Sequence, residues 1–203
     1  MCGICGKISS NWICSKCKKM LKAQSNFTVD DYRKTSSYFD EHIFLFNYNG
    51  EIRNAILNYK FHEKPYIYRT FVNFIENNKK ICNEIKKYDI IMPVPISNNR
   101  IKYRGYNQSA ILARKIASKL KIKYINNNLI KIKDNKPQSS LNYEERIKNV
   151  KDVYKLKNII KVKNKNILIV DDIFTTGSTV NECSKVLLKS GANKIGIFTI
   201  AKD

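Results

Sequence analysis

The sequence predicts an α/β fold, a mostly parallel sheet flanked by helices, with a small four-cysteine segment at the N-terminus. Two observations carry this prediction. Short apolar runs alternate with stretches of helical periodicity along most of the chain, which is the order that builds parallel β-α-β units. Four of the six cysteines fall within the first seventeen residues, a segment too short to form a core of its own. We therefore expect two domains, residues 1–25 and residues 26–203.

The N-terminal cysteines form two Cys-x-x-Cys pairs, Cys2 with Cys5 and Cys14 with Cys17. Two such pairs can close a tetrahedron of thiolates around Zn²⁺, and a closed four-cysteine site is structural. Disulfides are the alternative. The chain shows no signal peptide and no apolar run of membrane-spanning length, so we expect a cytoplasmic protein without membrane insertion, whose thiols stay reduced. The isolated Cys82 and Cys183 are expected to be small buried apolar residues.

The remaining elements follow from the spacing of apolar residues. Short apolar runs predict strands at 43–48, 89–94, 129–132, 153–156, 167–170 and 195–200. Apolar residues three and four apart predict helices over 52–59, 66–78, 110–120 and 180–188. We expect Asn107 or Ser109 to cap the third of these helices and Gly191 to end the fourth.

The net charge of +21 is large for 203 residues. Clustered Lys and Arg release counterions from phosphates, so this charge indicates a nucleic-acid partner. However, the excess is mostly Lys in a chain rich in Asn and Ile, which is typical of AT-rich codon usage. A solvated basic surface explains most of it.

The strongest candidate site follows the apolar run Ile167–Val170. Asp171 and Asp172 end this run, and Thr175, Thr176, Gly177, Ser178 and Thr179 then lead into the next predicted helix. Ligands of open parallel sheets lie beyond the carboxyl ends of the strands. Free backbone N–H groups at a helix N-terminus attract anions, and glycine lets the backbone approach closely. Together these groups suit a ligand with hydroxyls and a phosphate, such as a phosphorylated ribose.

The same residues allow other interpretations. The apolar run before the two aspartates resembles a Walker B strand, but no G-x-x-x-x-G-K-[ST] motif accompanies it, and G-x-G-x-x-G is also absent. These absences exclude a P-loop NTPase and disfavour a dinucleotide site. A solvated strand end followed by an ordinary helix cap remains the structural alternative.

The segment 170–179 resembles the phosphoribosyl pyrophosphate signature of type I phosphoribosyltransferases. With its cysteine pairs, the whole chain is similar to the ComF family, which is related to amidophosphoribosyltransferases and tied to DNA uptake in competent bacteria. The further matching residues are Tyr59, Lys60, Phe61, Lys64, Pro93, Val94, Pro95, Arg100, Arg104, Gly105, Tyr106, Asn107, Gln108, Gln138, Leu141, Arg146, Asn149 and Val150.

The resemblance implies roles for these residues around phosphoribosyl pyrophosphate and Mg²⁺. Asp171 and Asp172 would be the catalytic residues, holding the ribose hydroxyls and indirectly the metal. The segment 175–179 would cradle the 5′-phosphate. Pro95, Ile96 and Ser97, with Arg100, would form the pyrophosphate loop, and 133–149 would be a mobile hood loop carrying Arg146. Phe174 is larger than the small aliphatic residue common at its position, and residues 20–60 show no acceptor site.

Basic residues interleaved with aromatic ones predict single-stranded DNA as a partner. The candidate residues are Lys60, Lys102, Arg104 and Tyr106, and proteins of the competence machinery are further partners that the resemblance implies. The leading hypothesis is a competence protein that binds phosphoribosyl pyrophosphate and assists single-stranded DNA handling. The alternative is an active transferase in nucleobase salvage. A regulator of duplex DNA is disfavoured because no helix-turn-helix pattern is present.

Overall fold

A computed structural model describes residues 1–10, 12–61, 64–133 and 149–203. The helices are α1 (Ser15–Gln24), α2 (Gly50–Phe61), a 3-10 turn (Pro65–Ile67), α3 (Tyr68–Glu76), α4 (Lys79–Ile85), α5 (Asn98–Arg104), α6 (Gln108–Leu120) and α7 (Ser178–Lys189). The strands are β1 (Ser25–Asp31), β2 (Glu41–Asn47), β3 (Ile90–Pro93), β4 (Lys123–Tyr124), β5 (Leu129–Lys131), β6 (Tyr154–Leu156), β7 (Asn166–Val170), β8 (Ile173–Phe174) and β9 (Lys194–Lys202).

Within the described residues, seven strands form one main sheet in the order β1-β2-β9-β7-β3-β4, with β8 also paired to β9. Only the β1–β2 pair at one edge is antiparallel, and the other pairs are parallel. This arrangement confirms the predicted α/β class.

Helices cover both faces of the sheet, and β7 shows why its sequence is a continuous apolar run. Leu168 and Val170 pack into the cluster formed with α1 to α4 and α6, whereas Ile167 and Ile169 pack against α7 on the other face. All four side chains are fully buried. A strand covered on both sides must be apolar at every position, which is why this run is readable as a parallel strand.

The predicted strands at 129–132 and 153–156 exist but lie outside the main sheet. They form the antiparallel pair β5–β6, with Leu129 opposite Leu156 and Lys131 opposite Tyr154. The Ile132 N–H donates to the Val153 carbonyl at 2.8 Å. The two strands therefore bring together the ends of the chain segment that leads to the expected hood loop.

Two predicted helix boundaries are confirmed by capping contacts. Asn107 is the N-cap of α6, and its side chain accepts from the N–H groups of Ser109 and Ala110. Gly191 follows the last turn of α7 with a φ of 84°, the left-handed conformation that favours glycine. The helix expected over 66–78 is instead divided into the 3-10 turn and α3.

The cysteine segment packs onto the same core as the rest of the chain. Cys2, Cys17 and Leu21 are buried in the cluster that contains α2, α3 and α6. The Thr70 hydroxyl of α3 donates to the Trp12 carbonyl at 2.9 Å. The division into domains of residues 1–25 and 26–203 stays a prediction. None of the helices in the described parts of the chain combines the length and apolarity that a bilayer span requires.

Candidate functional site at the carboxyl edge of the sheet

The register of the central strands brings two loops to one edge of the sheet. β3 and β7 pair in parallel with Pro93 opposite Val170. The segments that follow these strands, 94–97 and 171–179, therefore leave the sheet side by side. The Asn107 side chain donates to the Val94 carbonyl at 3.0 Å, which anchors the start of α6 beside them.

Asp171 lies in the gap between β7 and β8 and contacts α6. The Ser109 hydroxyl and the backbone N–H of Asp172 both donate to Asp171 Oδ1, at 2.8 and 2.9 Å. Burial, together with the neighbouring charge of Asp172, raises the pKa of Asp171 to about 7. One carboxylate of the pair therefore gains or loses a proton near neutral pH.

Asp172 is the more enclosed of the two aspartates, with a side chain only 3% exposed. Its Oδ1 lies 2.9 Å from the ammonium of Lys60, which reaches the site from the last turn of α2. Its Oδ2 is buried and has no hydrogen-bond partner among the described residues. A buried carboxylate oxygen without a donor is costly, so this atom is suited to accept from a ligand hydroxyl or to coordinate a cation.

The loop after β8 is shaped by a contact between Phe174 and Gly177. Gly177 has a φ of 71°, and a Cβ at this position would lie 2.5 Å from the Phe174 ring. The N-cap of α7 is Gly177, which has no side chain to cap this twelve-residue helix. The Ser178 N–H donates to the Thr176 hydroxyl at 3.4 Å. Backbone N–H groups at such a helix N-terminus are donors that bind anions.

The unusual size of Phe174 has a structural explanation. Its ring stacks on His42 with 4.2 Å between the ring centroids and lies beside Phe39 and Tyr32. Burial lowers the pKa of His42 to about 3, so the imidazole is neutral and serves as a packing partner. The large residue thus fills an aromatic cluster under the loop.

The Arg104–Gln108 stretch joins α5, α6 and α2. Arg104 donates to the Gln108 side chain at 2.6 Å, and the Tyr59 hydroxyl donates to the Gln108 carbonyl at 2.7 Å. The Tyr106 hydroxyl in turn donates to the Tyr59 carbonyl. These contacts hold the end of α2, and with it Lys60, against the aspartates. Three of the four DNA-binding candidates therefore make contacts inside this site, while Lys102 is exposed.

The expected pyrophosphate loop borders the same edge. The Ser97 hydroxyl accepts from the Arg100 N–H and caps α5, and Pro95 and Ile96 are half-buried. A cleft of about 420 Å³ adjoins this loop on the β4 side, lined in part by Arg114 and Tyr124. Neither aspartate lines this cleft.

The four N-terminal cysteines come together. Their sulfur atoms all lie within 4.8 Å of one another, and the Cys5 and Cys14 sulfurs are 3.9 Å apart. Four Zn–S bonds of about 2.3 Å place tetrahedral sulfurs about 3.8 Å apart, so the cluster has the dimensions of a metal site. Of the other cysteines, Cys183 is buried as expected, whereas Cys82 is only half-buried and its thiol donates to the Ile75 carbonyl.

Sequence reasoning missed the contacts of Lys60 and Ser109 with the aspartates, because no local pattern marks residues that meet across the fold. Arg146, Gln138 and Leu141, with most of the expected hood loop, lie outside the described residues.

Residues 101–203 match the profile of the family described as "Phosphoribosyl transferase domain". This match covers just over half of the chain, and the chain belongs to that family.

Proteins of similar sequence indicate a narrower family within the phosphoribosyl transferase domains. The chain is 28% identical to "Competence protein F" of Haemophilus influenzae over 213 residues, covering 96% of this chain and 92% of that protein. It is 27% identical to "Competence protein ComFC" of Streptococcus pneumoniae over 161 residues, covering 79% and 68%. It is also 27% identical to "DNA utilization protein YhgH" of Escherichia coli O157:H7 over 205 residues, covering 100% and 84%. Within the phosphoribosyl transferase domains, it is a member of the ComF family.

Proposed function

We propose that the carboxyl edge of the sheet binds phosphoribosyl pyrophosphate, and that the protein assists the handling of single-stranded DNA. One observation carries the first part. The two aspartates, one with a buried oxygen that has no donor among the described residues, precede a helix whose N-cap is a glycine without a side chain. This pairing of acceptors and donors complements a ligand that carries hydroxyls and a phosphate a few ångströms apart.

In this proposal each group of the site has one task. Asp171 and Asp172 accept hydrogen bonds from the ribose hydroxyls, and the backbone N–H groups of 175–179 hold the 5′-phosphate. The hydroxyls of Thr176 and Ser178, which already contact each other, supply further donors. The segment 95–97 with Arg100 lies where positive charge would stabilise a departing diphosphate.

The aspartates also suit a hard cation. Carboxylate oxygens are the donors that Mg²⁺ prefers, and the buried Asp172 Oδ2 is such a donor. When bound with the ligand, Mg²⁺ supplies charge neutralisation for the diphosphate oxygens. Before the ligand arrives, the Lys60 ammonium offsets part of the charge of the buried pair.

The cysteine cluster is proposed to hold structural Zn²⁺. A metal there would join the loop that carries Trp12 to the start of α1, which Cys14 caps. Because this segment is too short to fold on its own core, the metal would hold it against α3.

Calorimetry tests the ligand proposal. Phosphoribosyl pyrophosphate is titrated with Mg²⁺ into wild type and into an Asp171→Asn/Asp172→Asn variant, which keeps the size of both side chains. We expect wild type to bind and the variant to weaken binding by about 100-fold, because charge-assisted hydrogen bonds to the ribose are lost. Asp89→Asn is the matched control, since Asp89 lies at the opposite edge of the same sheet and accepts from the Asn166 N–H.

Equal binding by wild type and the double variant would refute the proposed site. The same preparations are then incubated with individual nucleobases, and diphosphate release is measured. Release with one base would assign the protein to salvage, the alternative function. Binding without release fits a role in which the ligand is held and not consumed.

A further inference from the structure

The charged residues are not evenly distributed along the chain. Residues 1–29 contain five lysines and no Asp or Glu, and residues 90–133 contain ten Lys and Arg and again no Asp or Glu. The first stretch holds the cysteine segment and α1, and the second holds α5 and α6. Both helices that bear this excess, α1 and α6, pack on the same face of the sheet.

Between these two stretches the structure shows a row of alternating rings and cations. The Arg69 guanidinium lies 3.8 Å from the centroid of the Trp12 ring. The Arg69 Nε donates to the Tyr68 hydroxyl at 3.3 Å, and the Lys115 ammonium lies 5.6 Å from the centroid of the Tyr68 ring. We call Trp12, Arg69, Tyr68 and Lys115 the stacked row. It joins the cysteine segment, α3 and α6.

The row is held rigidly from the protein side and open on the other. The Trp12 carbonyl accepts from Gly3 and from Thr70, so the backbone beneath the ring is fixed, yet the residue is 48% exposed. Such a preorganised ring loses little conformational entropy when a ligand stacks on it.

In the parts of the chain that the structure describes, no carboxylate forms an ion pair with Arg69 or Lys115. The Glu76 carboxylate, at the end of α3, is already paired with Lys119 at 2.7 Å. The hydrogen bond from Arg69, together with the charges of Lys115 and Arg69, lowers the pKa of the Tyr68 hydroxyl.

We propose that the stacked row is a docking surface for single-stranded nucleic acid, with Trp12 stacking on a base and Arg69 and Lys115 contacting the phosphates. This inference rests on the proposed handling of single-stranded DNA and gives it a location. Aromatic rings interleaved with cations bind single strands because every base presents a stacking face, whereas the bases of a duplex are already stacked on one another. The positive charge of Arg69 and Lys115 complements a polyanion.

The location differs from that expected from sequence. Lys60 is paired with Asp172, and Arg104 and Tyr106 contact Gln108 and Tyr59. A strand bound on the row would leave those contacts, and the aspartates, untouched.

The test measures binding of a labelled oligothymidylate of about 20 nucleotides by anisotropy, at several salt concentrations, to the full-length protein. Trp12 is the sole tryptophan, so intrinsic fluorescence reports on the row directly. We expect saturable quenching on addition of the oligonucleotide and no comparable quenching by a duplex of equal length.

Three variants separate stacking from charge. Trp12→Leu should weaken binding about tenfold, the loss expected for one base–aromatic stack, with the slope of log affinity against log salt unchanged. Arg69→Gln and Lys115→Gln should weaken binding and reduce that slope by about 0.7 each. Lys189→Gln, an exposed change on α7 across the sheet, is the control and should change neither quantity. Arg69→Gln and Lys115→Gln leave the Trp12 loop intact, so the test does not depend on the folding of one variant.

Several results would overturn the inference. The first two are the absence of oligothymidylate binding by wild type and binding that all three variants leave unchanged. The third is quenching of Trp12 fluorescence by the duplex that equals quenching by the single strand. The fourth is competition by polyglutamate as strong as that by unlabelled oligothymidylate, which would indicate an acidic protein partner. Calorimetry with phosphoribosyl pyrophosphate on the same preparations keeps the two proposals distinguishable. Retained ligand binding with no oligonucleotide binding would reject the docking surface and leave the proposed ligand site standing.

Discussion

The carboxyl edge of the sheet and the stacked row differ in the sign and the surroundings of their charges. At the edge, a half-buried and a buried carboxylate are adjacent, and the buried one, Asp172, is paired with Lys60. On the row, cations and rings alternate near the surface, and the Glu76 carboxylate at the end of α3 is paired with Lys119. The net charge of +21 therefore describes neither region. The difference indicates a small hydroxyl-rich ligand at the edge and a long polyanion on the row.

The largest effect on stability is expected at the cysteine cluster, whose segment also carries Trp12 of the stacked row. Cys17→Ser removes a buried thiol of the proposed zinc site and should lower the free energy of unfolding by far more than the roughly 1 kcal/mol of a typical substitution. Zinc content and urea unfolding are the measurements. Cys82→Ser, outside the cluster, retains a donor toward Ile75 and should keep both values near wild type. A Cys17→Ser protein with full stability would contradict a structural metal.

A change in stability on removal of Lys60 tests whether this lysine compensates the buried charge of Asp172 at the carboxyl edge. Lys60→Met leaves Asp172 without its cation and should cost about 3 kcal/mol of stability at pH 8, because an uncompensated buried charge is strongly unfavourable. Combining it with Asp172→Asn should recover most of this loss. Denaturant unfolding of the four proteins in this double-mutant cycle measures the coupling, and additive effects would show that the pair is not coupled.

The raised pKa of Asp171 predicts a pH dependence of stability at the edge. The folded protein keeps the carboxyl protonated up to about pH 7, whereas the unfolded chain releases the proton near 3.8. The unfolded state therefore binds fewer protons between these values, so this group lowers the stability as pH rises from about 4 to about 7.

Asp171→Asn removes this cost. The variant should exceed wild type by about 4 kcal/mol at pH 8, measured without added magnesium, and the advantage should vanish below pH 4. Urea unfolding of both proteins between pH 4 and pH 8 measures this difference in stability. An advantage that does not change with pH would mean that Asp171 ionises normally.

The smallest effect is expected at the exposed ion pair beside the row. Lys119→Gln breaks the contact with Glu76, in which both side chains are partly solvent-exposed, and should change stability by less than about 0.5 kcal/mol. Thermal unfolding at low and high salt measures this. A loss of stability as large as that of Lys60→Met would show that the exposed ion pair contributes as much as the buried one, which contradicts the difference between the two regions.

The same two regions show what could be predicted from sequence. The strand β7, the aspartates and the loop at 175–179 are contiguous in the chain, so apolar patterning and residue type identify them together. The Asn107 cap and Gly191 are also local signals, and the structure confirms both. Placement at one sheet edge then follows from parallel pairing.

Contacts between distant parts of the chain could not be predicted. Lys60 meets Asp172, Ser109 meets Asp171, and Trp12 meets Arg69 only because α2, α3 and α6 pack on one face of the sheet. The helices α1 and α5 were missed because α1 is mostly Lys and other polar residues, and α5 has only seven residues with none buried. Tertiary packing stabilises such helices more than their own propensity does.

The most direct test of the account asks whether the two surfaces are independent. Phosphoribosyl pyrophosphate with Mg²⁺ is titrated by calorimetry into wild type alone and into wild type saturated with the oligothymidylate. We expect binding in both titrations, with dissociation constants that agree within a factor of about two, because sites that do not interact have no coupling free energy. Loss of ligand binding in the presence of the oligonucleotide would contradict this expectation by placing both ligands at the aspartates.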